Sequence, residues 1–373
     1  MTSHFLDIHV IQTVPPSNVN RDDTGSPKTA VFGGQRRGRV SSQAWKKAVR
    51  TSFKEFLPPE QTGARTLRVV ELLINRMVSD HGLDPDEARE RAVAVVKALG
   101  LKAEKPRKRD EDGPDPIERT QYLVFYSRQQ LDRLAELAAT TEGKISAREA
   151  KAAADSDHGI EVALFGRMVA DSKDLNVDSA VQVAHAISTH AVEAEADYFT
   201  AVDDYKLDED DAGAGMIGTV EFNSQTLYRF ATVAVDQLEH NLGNHELTAE
   251  AAVAFVRGFV MSMPTGKQNT FANNTLPDAV VVQLRSGRSA SFVGAFEEAV
   301  VGSGTGYVKE SAEKLARYAA ECEEAFLAAP QASFVTRVGE QTASLDSLGE
   351  RVTVDELVDR TRAAVLDVLQ AES

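Results

Sequence analysis

Cysteine is nearly absent: Cys322 is the only one in 373 residues. That excludes an intramolecular disulfide and a cysteine-rich zinc site. No run of about 18 apolar residues occurs, so no membrane-spanning helix is expected. The first residues, MTSHFLDIHVIQTV, lack the basic start and small-residue cleavage site of a signal peptide, and a cytoplasmic protein is the expectation. Positive charge is also in deficit. Lys and Arg number 41 against 57 Asp and Glu, a formal net charge of −16, which on its own argues against a nucleic-acid partner.

Familiar enzyme signatures are missing as well. Gly266-Lys267 is followed by Gln268, and no glycine stands five positions before Gly266, so there is no P-loop. Ser303 is second rather than third in Gly302–Gly306, which is not a nucleophile elbow. His185 with His190, and His240 with His245, are five apart without a nearby ligand set, and read as structural or exposed residues. Asp203-Asp204 and Asp208 to Asp211 offer carboxylates to a divalent ion, but a solvated acidic loop is the simpler reading. No metal and no cofactor is expected.

What is present is ordinary for a globular protein: 42% hydrophobic and 26% charged residues, enough apolar surface to exclude wholesale disorder. The length fits two or three domains. Charge is unevenly placed. Residues 21–54 carry nine basic side chains and, before Glu55, only Asp22 and Asp23 as acids. Residues 193–211 carry nine acids and Lys206 alone as a base, and residues 321–373 carry eleven acids and four arginines. Such a chain can present one basic surface within an acidic whole.

The local patterns suggest an α+β chain. Leu6–Val10 alternates at period two and reads as a strand that Pro15-Pro16 ends. A polar loop follows to about Val31. Ser41 or Ser42 caps a helix over 43–57, with Trp45, Val49, Phe53 and Phe56 on one apolar stripe and Lys46, Arg50 and Lys54 on a basic one. Residues 58–157 read as mostly helical. Asp84-Pro85-Asp86-Glu87 is a helix start and Gly100 a stop. Tyr122–Tyr126 reads as a strand and Ser127 with Gln130 as the next helix start, while 102–116 reads as an exposed, flexible loop. Beyond Gly159, residues 162–165 form an apolar run, 178–190 a strand, and 197–218 a polar excursion. Thr219–Val235 is extended, Thr248 caps a helix to about Met263, Ala279–Leu284 is a strand, and Ser291–Val300 is helical. A helix over Lys309–Leu327, a strand over Phe334–Val338, and a last helix opened by Thr353 and Glu356 complete the chain.

The basic region is the strongest chemical signal. Arg36, Arg37 and Arg39 adjoin a glycine turn, and Ser41-Ser42-Gln43 stand at a helix N-terminus, so cations, backbone donors and polar side chains converge as phosphate contacts require. A solvated basic helix would share this spacing.

The stretch NRDDTGSPKTAVFGGQRRGRVSSQAWKKAVR (Asn20–Arg50) resembles the N-terminal signature of the type I-E CRISPR Cascade backbone subunit, the CasC family. So do ALFGRMVAD (Ala163–Asp171), VDSAVQVAHAISTHAVEAEADYFTAVDD (Val177–Asp204), GTVEFNSQTLYRF (Gly218–Phe230) and PTGKQNTFANN (Pro264–Asn274). These blocks follow the family's order over roughly half the chain; 58–157 and the region after about 300 are similar only in length and helicity.

The resemblance implies a right-hand shape. Its palm is a modified RRM (ferredoxin-like) fold with an antiparallel sheet, built from 1–57, 161–190 and 221–373. The fingers are a helical insertion over 58–160, and the thumb is an extended β-hairpin over 191–220. It also implies a non-catalytic subunit. Copies stack along a guide crRNA and kink it at intervals for pairing with target DNA in antiviral defence, with the protein reading backbone and shape while base pairing reads sequence. Implied partners are crRNA, target DNA through it, further copies of the chain, and the other Cascade subunits: the large and small subunits, the repeat-processing endoribonuclease and the tail subunit.

Position by position, Lys28, Lys46 and Arg50 match residues that hold the guide backbone, with Arg21, Arg37, Arg39, Ser41 and Gln43 as supporting contacts. Met168 matches a residue packed on bases at the kink, and Arg167 beside it is placed among the RNA-binding residues. Tyr198, Phe199, Val202 and Ile217 match thumb positions that wedge between nucleotides; Tyr198 stands where the family can carry a larger aromatic. Lys267 and Gln268 match a polar loop near the RNA, and Lys144, Arg148 and Lys151 loosely match finger residues that guide duplex DNA. Related backbone proteins of other CRISPR types cut target RNA with an aspartate in the N-terminal loop, so Asp22 or Asp23 defines the alternative, a metal-dependent ribonuclease.

Overall fold

The computed structural model describes residues 3–108, 115–156, 158–201 and 216–371. Two long strands carry it. β1 (His4–Ser17) is flanked on one side by β11 (Met216–Ala234) and on the other by β12 (Ala279–Ser286), antiparallel to both. Beyond β11 come β9 (Ala186–Ser188), β3 (Gln35–Val40) and β2 (Thr29–Phe32); beyond β12 come β13 (Ala332–Arg337) and β14 (Glu350–Arg351). Among these paired neighbours only β13 and β14 run parallel. β8 (Val181–Val183) and β10 (Glu195–Ala201) also pair with β11.

Period-two alternation places helices on both faces. Leu6, Ile8 and Val10 of β1 and Val280, Val282 and Leu284 of β12 pack with α1 (Ser42–Phe56), α6 (Gly159–Phe165), α7 (Val235–Leu242), α8 (His245–Met261) and α11 (Val354–Ala371). Ile11, Ala279, Val281 and Val335 point the other way, onto α10 (Val308–Phe326) through Ala312, Leu315 and Ala319. Ser41 caps α1 by accepting from the Ala44 N–H, and Trp45, Val49 and Phe53 form its buried stripe.

Between α1 and α6 the chain builds a second core. β4 (Gly63–Thr66) pairs with β7 (Val124–Ser127), and β5 (Ala103–Glu104) with β6 (Arg119–Thr120). α2 (Val69–His81), α3 (Pro85–Ala98), α4 (Arg128–Thr140) and α5 (Ala147–Ala154) pack around Leu73, Met77, Val95, Leu131 and Leu134. The expected starts hold: Asp84 accepts from the Asp86 and Glu87 N–H groups, and Ser127 with Gln130 forms a reciprocal capping box. Residues 109–114 lie outside the described residues. Among the described residues no helix is long and apolar enough to cross a membrane.

Several expectations are corrected. β1 continues through Pro15-Pro16 to Ser17. β12 leaves β1 at Ile11↔Ala279 and the β11 register shifts between Val14 and Ser17, so the missing proline N–H groups interrupt no ladder. Residues 162–165 end a helix, too short at Gly159–Phe165 for periodicity to show. The strand expected at 178–190 is two, β8 and β9, separated by Ala184 and His185. α8 starts at His245 under an Asn244 cap, leaving Thr248 buried inside the helix. Residues 291–300 contain only a 3-10 turn, Val293–Phe296.

Candidate nucleic-acid interface

The basic run is a hairpin strand. β2 and β3 meet at Gly33-Gly34, whose φ values of +57° and +74° are those of the tight primed turns that match strand twist. A Cβ on Gly33 would lie 1.7 Å from the Glu297 carbonyl oxygen, so the turn rests directly on backbone.

Arg37 departs from the expected role. It is fully buried and donates to the carbonyls of Ser188 (3.0 Å), Thr189 (3.0 Å), Phe296 (3.0 Å) and Glu297 (3.1 Å). Its planar fork bolts the hairpin to β9 and the 293–296 turn, leaving no donor surface for a phosphate. Arg167 is likewise buried. It donates to the Leu175 carbonyl (2.6 Å), the Gln130 side chain (3.2 Å) and the Ala154 carbonyl (3.2 Å), over the Tyr126 ring. Arg50 pairs through Nε with the buried Glu161 carboxylate, which also accepts from the Gly63 N–H, and its guanidinium sits 4.4 Å from the Phe125 ring. These contacts join α1 to the helical insertion. Ser41 is the α1 cap, and Gln43 is exposed on that first turn.

Among the described residues, Lys28, Arg39 and Lys46 have no ion-pairing carboxylate. Lys28 and Arg39 are adjacent, with the Arg39 N–H donating to the Lys28 carbonyl at 2.9 Å. Arg39 also donates from Nε to the Thr29 carbonyl (3.2 Å), and its Nη1 lies 3.2 Å from His185 Nδ1. Burial lowers the His185 pKa, and the charges of Arg39 and Lys28 lower it further. Lys46 on α1 is lowered by burial and then by the charge of Arg65 on β4. Two cationic pairs thus sit on the surface, Lys28 with Arg39 beside the His185 ring, and Lys46 with Arg65. Neither has an ion-pairing carboxylate among the described residues. Held uncompensated, such groups are poised to accept an anion.

An open groove of about 1540 Å³ adjoins this face, between the loop at 19–25, α1 and the segment 261–276. Arg21, Lys47, Lys267 and Gln268 line it, and so do Asp22, Asp23 and Glu55. Gly266 lets the segment approach: a Cβ there would lie 2.0 Å from the Val19 carbonyl oxygen. Lys267 opens α9 (Gln268–Phe271) at φ +51°, and Gln268 donates to Asn274 (2.5 Å). Beneath lies a buried cation. Arg229 stacks on Trp45 (3.7 Å) and Phe259 (4.5 Å) and donates to the Phe259 carbonyl and to Gln12 (2.5 Å), whose amide holds the Thr275 carbonyl (2.9 Å). Burial pushes its pKa down to about 9.

Met168 is 81% exposed, beside the buried anchor of Arg167 and a backbone bridge from Arg167 to Val177. On the β10–β11 hairpin, Tyr198 pairs with Thr219 and is 63% exposed, while the Phe199 ring covers Gly218. Val202 and the Ile217 side chain lie outside the described residues, as do Asp203, Asp204 and 208–211. In the insertion, Lys144 and Arg148 are exposed, and Lys151 pairs with Asp174 (2.7 Å). His185 and Arg65 were not anticipated. His185 lay inside a recognised block but read as structural or exposed, and Arg65 carried no signal, since β4 brings it to Lys46 only in three dimensions.

These features define a mixed α/β protein with a mostly antiparallel sheet, a surface cationic cluster and an exposed β10 strand paired with β11. The chain belongs to the CT1975-like protein family, whose profile matches residues 6–360. It is similar to a chain of a solved "CRISPR RNA-guided surveillance complex, pre-nicking", with 36% identity over 97% of this chain and 100% of that one at a TM-score of 0.84. A second, from a "CRISPR RNA-guided surveillance complex", is 30% identical over 95% of this chain and 99% of that one, with a TM-score of 0.72. No curated protein sequence matches.

Proposed function

We propose that this chain is a crRNA-binding backbone subunit of a Cascade-type CRISPR surveillance complex. The carrying observation is the near-complete correspondence, 97% of this chain at a TM-score of 0.84, with a subunit of an RNA-guided complex. The uncompensated cations supply the chemistry, since phosphate neutralisation dominates such affinity. In the finer reading the complex is type I-E and the subunit CasC-like, with an RRM-type palm. Copies assemble in the cytoplasm along the guide and with the other Cascade subunits. Met168, Tyr198 and Phe199 are the exposed or partly exposed side chains suited to pack on displaced bases.

The test is expression with a CRISPR array and partner subunits, followed by absorbance at 260 and 280 nm across the size-exclusion peak. Large particles carrying RNA of uniform length with repeat-derived ends are expected. A monomer free of nucleic acid would count against the reading.

The subunit is proposed to be non-catalytic. Asp22, the candidate for target-RNA cleavage, uses Oδ1 to accept from the Thr24 N–H (2.9 Å), the Thr24 hydroxyl (2.7 Å) and the Ser26 N–H (3.0 Å), and those hydrogen bonds hold its carboxyl below the usual range. That is the work of a turn-forming aspartate. Target RNA is expected to stay intact with the native chain and with Asp22→Asn/Asp23→Asn alike; cleavage lost only in the variant would establish the ribonuclease.

A further inference from the structure

We propose that Lys28, Arg39 and His185 form one phosphodiester subsite in which His185 takes up a proton when the RNA backbone binds. This rests on the RNA-binding reading above and extends it to a residue with no assigned role.

The geometry carries the argument. Arginine only donates, so Arg39 Nη1 at 3.2 Å makes His185 Nδ1 the acceptor, and the neutral ring then carries its proton on Nε2. The charges facing the ring are Arg39 from β3 and Lys28 from the segment before β2. β8 contributes the neutral Gln182 and Val183, and the β11 stretch paired with β8, Ala231–Val233, is neutral as well. No carboxylate among the described residues pairs with any of the three.

In the free chain a proton on Nδ1 would set two donors against each other. A phosphate oxygen accepts from both, so an anion at this point removes the conflict and favours the imidazolium. The free ring, depressed below its ordinary 6.5, is neutral near pH 7. Bound RNA raises that pKa, so affinity should climb as pH falls from the bound-state pKa to the free-state pKa, and level off on either side.

The experiment measures the affinity of the full chain for a mixed-sequence single-stranded RNA by fluorescence anisotropy, from about pH 8 to about pH 6. One unit of pKa shift corresponds to about tenfold in affinity. The native chain should therefore gain several-fold more than His185→Gln over this range. His185→Lys, carrying a fixed charge at an exposed position, should hold the low-pH affinity throughout. Equal pH gains in the native chain and His185→Gln, or a native-like pH gain in His185→Lys, would overturn the subsite. Inorganic phosphate at matched phosphate concentration should not compete; full competition would make this a free-anion site and overturn the RNA assignment of the three residues. No RNA binding by the native chain at any pH would instead overturn the functional reading itself.

Discussion

Replacing Arg37 by alanine should lower stability by about 3–4 kcal/mol, a loss at the upper end for a single substitution. The cause is the set of carbonyls at Ser188, Thr189, Phe296 and Glu297 that this one guanidinium serves. The guanidinium is fully buried, so its removal leaves those carbonyls unpaired in the interior. Three separate elements lose their common fastener, namely the β2–β3 hairpin, the end of β9 and the turn before 297. Arg37→Lys should recover only part of the loss, because an ammonium cannot span four acceptors in the plane of a fork. Arg36, one residue away and exposed, is the control; its replacement should change stability by no more than about 0.5 kcal/mol. Urea titration of the three variants decides the matter. If Arg37→Ala unfolded like the native chain yet bound RNA far more weakly, Arg37 would belong to the RNA surface after all.

That contrast shows what local sequence could carry. The α1 stripe, the Asp84 start, the Ser127–Gln130 box and the length of β11 were legible because their causes lie within a few residues. The place of the basic surface was legible too, against a net charge of −16, because charge density along the chain says more than its sum. Which cations are free was not. Arg37 finds its acceptors 151 to 260 residues away, and Arg50 meets Glu161 across 111 residues. Nothing in the spacing of a basic run distinguishes a bolt from a phosphate contact when the partners are that distant. Cap position failed for a different reason: Asn244 and Thr248 are both good caps, one helical turn apart, and burial chose between them. β8 and β9 are three residues each, and across the break at Ala184 and His185 the register against β11 shifts by one residue, which no period reveals.

The second large effect should appear in binding with no matching loss of fold. Lys28→Ala/Arg39→Ala/Lys46→Ala removes three cations with no carboxylate partner among the described residues, so no buried acid is orphaned. Lys46 loses its repulsion with Arg65, and Arg39 gives up only half-exposed hydrogen bonds to the Thr29 carbonyl and to His185, so unfolding should shift little. Affinity for single-stranded RNA should fall about 100-fold. Each lost single-strand phosphate contact should reduce the slope of log affinity against log salt by about 0.7, hence about 2 for the triple variant. Arg50→Ala gives the opposite pattern. It leaves Glu161 buried and charged without its guanidinium, so it should destabilise the junction between α1 and the insertion. RNA binding would then weaken only as the fold does. Measured together, the salt slope and the unfolding free energy separate the two kinds of basic residue that alternate through Asn20–Arg50. A triple variant that kept the native salt slope would mean that the RNA backbone runs elsewhere, along the groove lined by Arg21, Lys47 and Lys267.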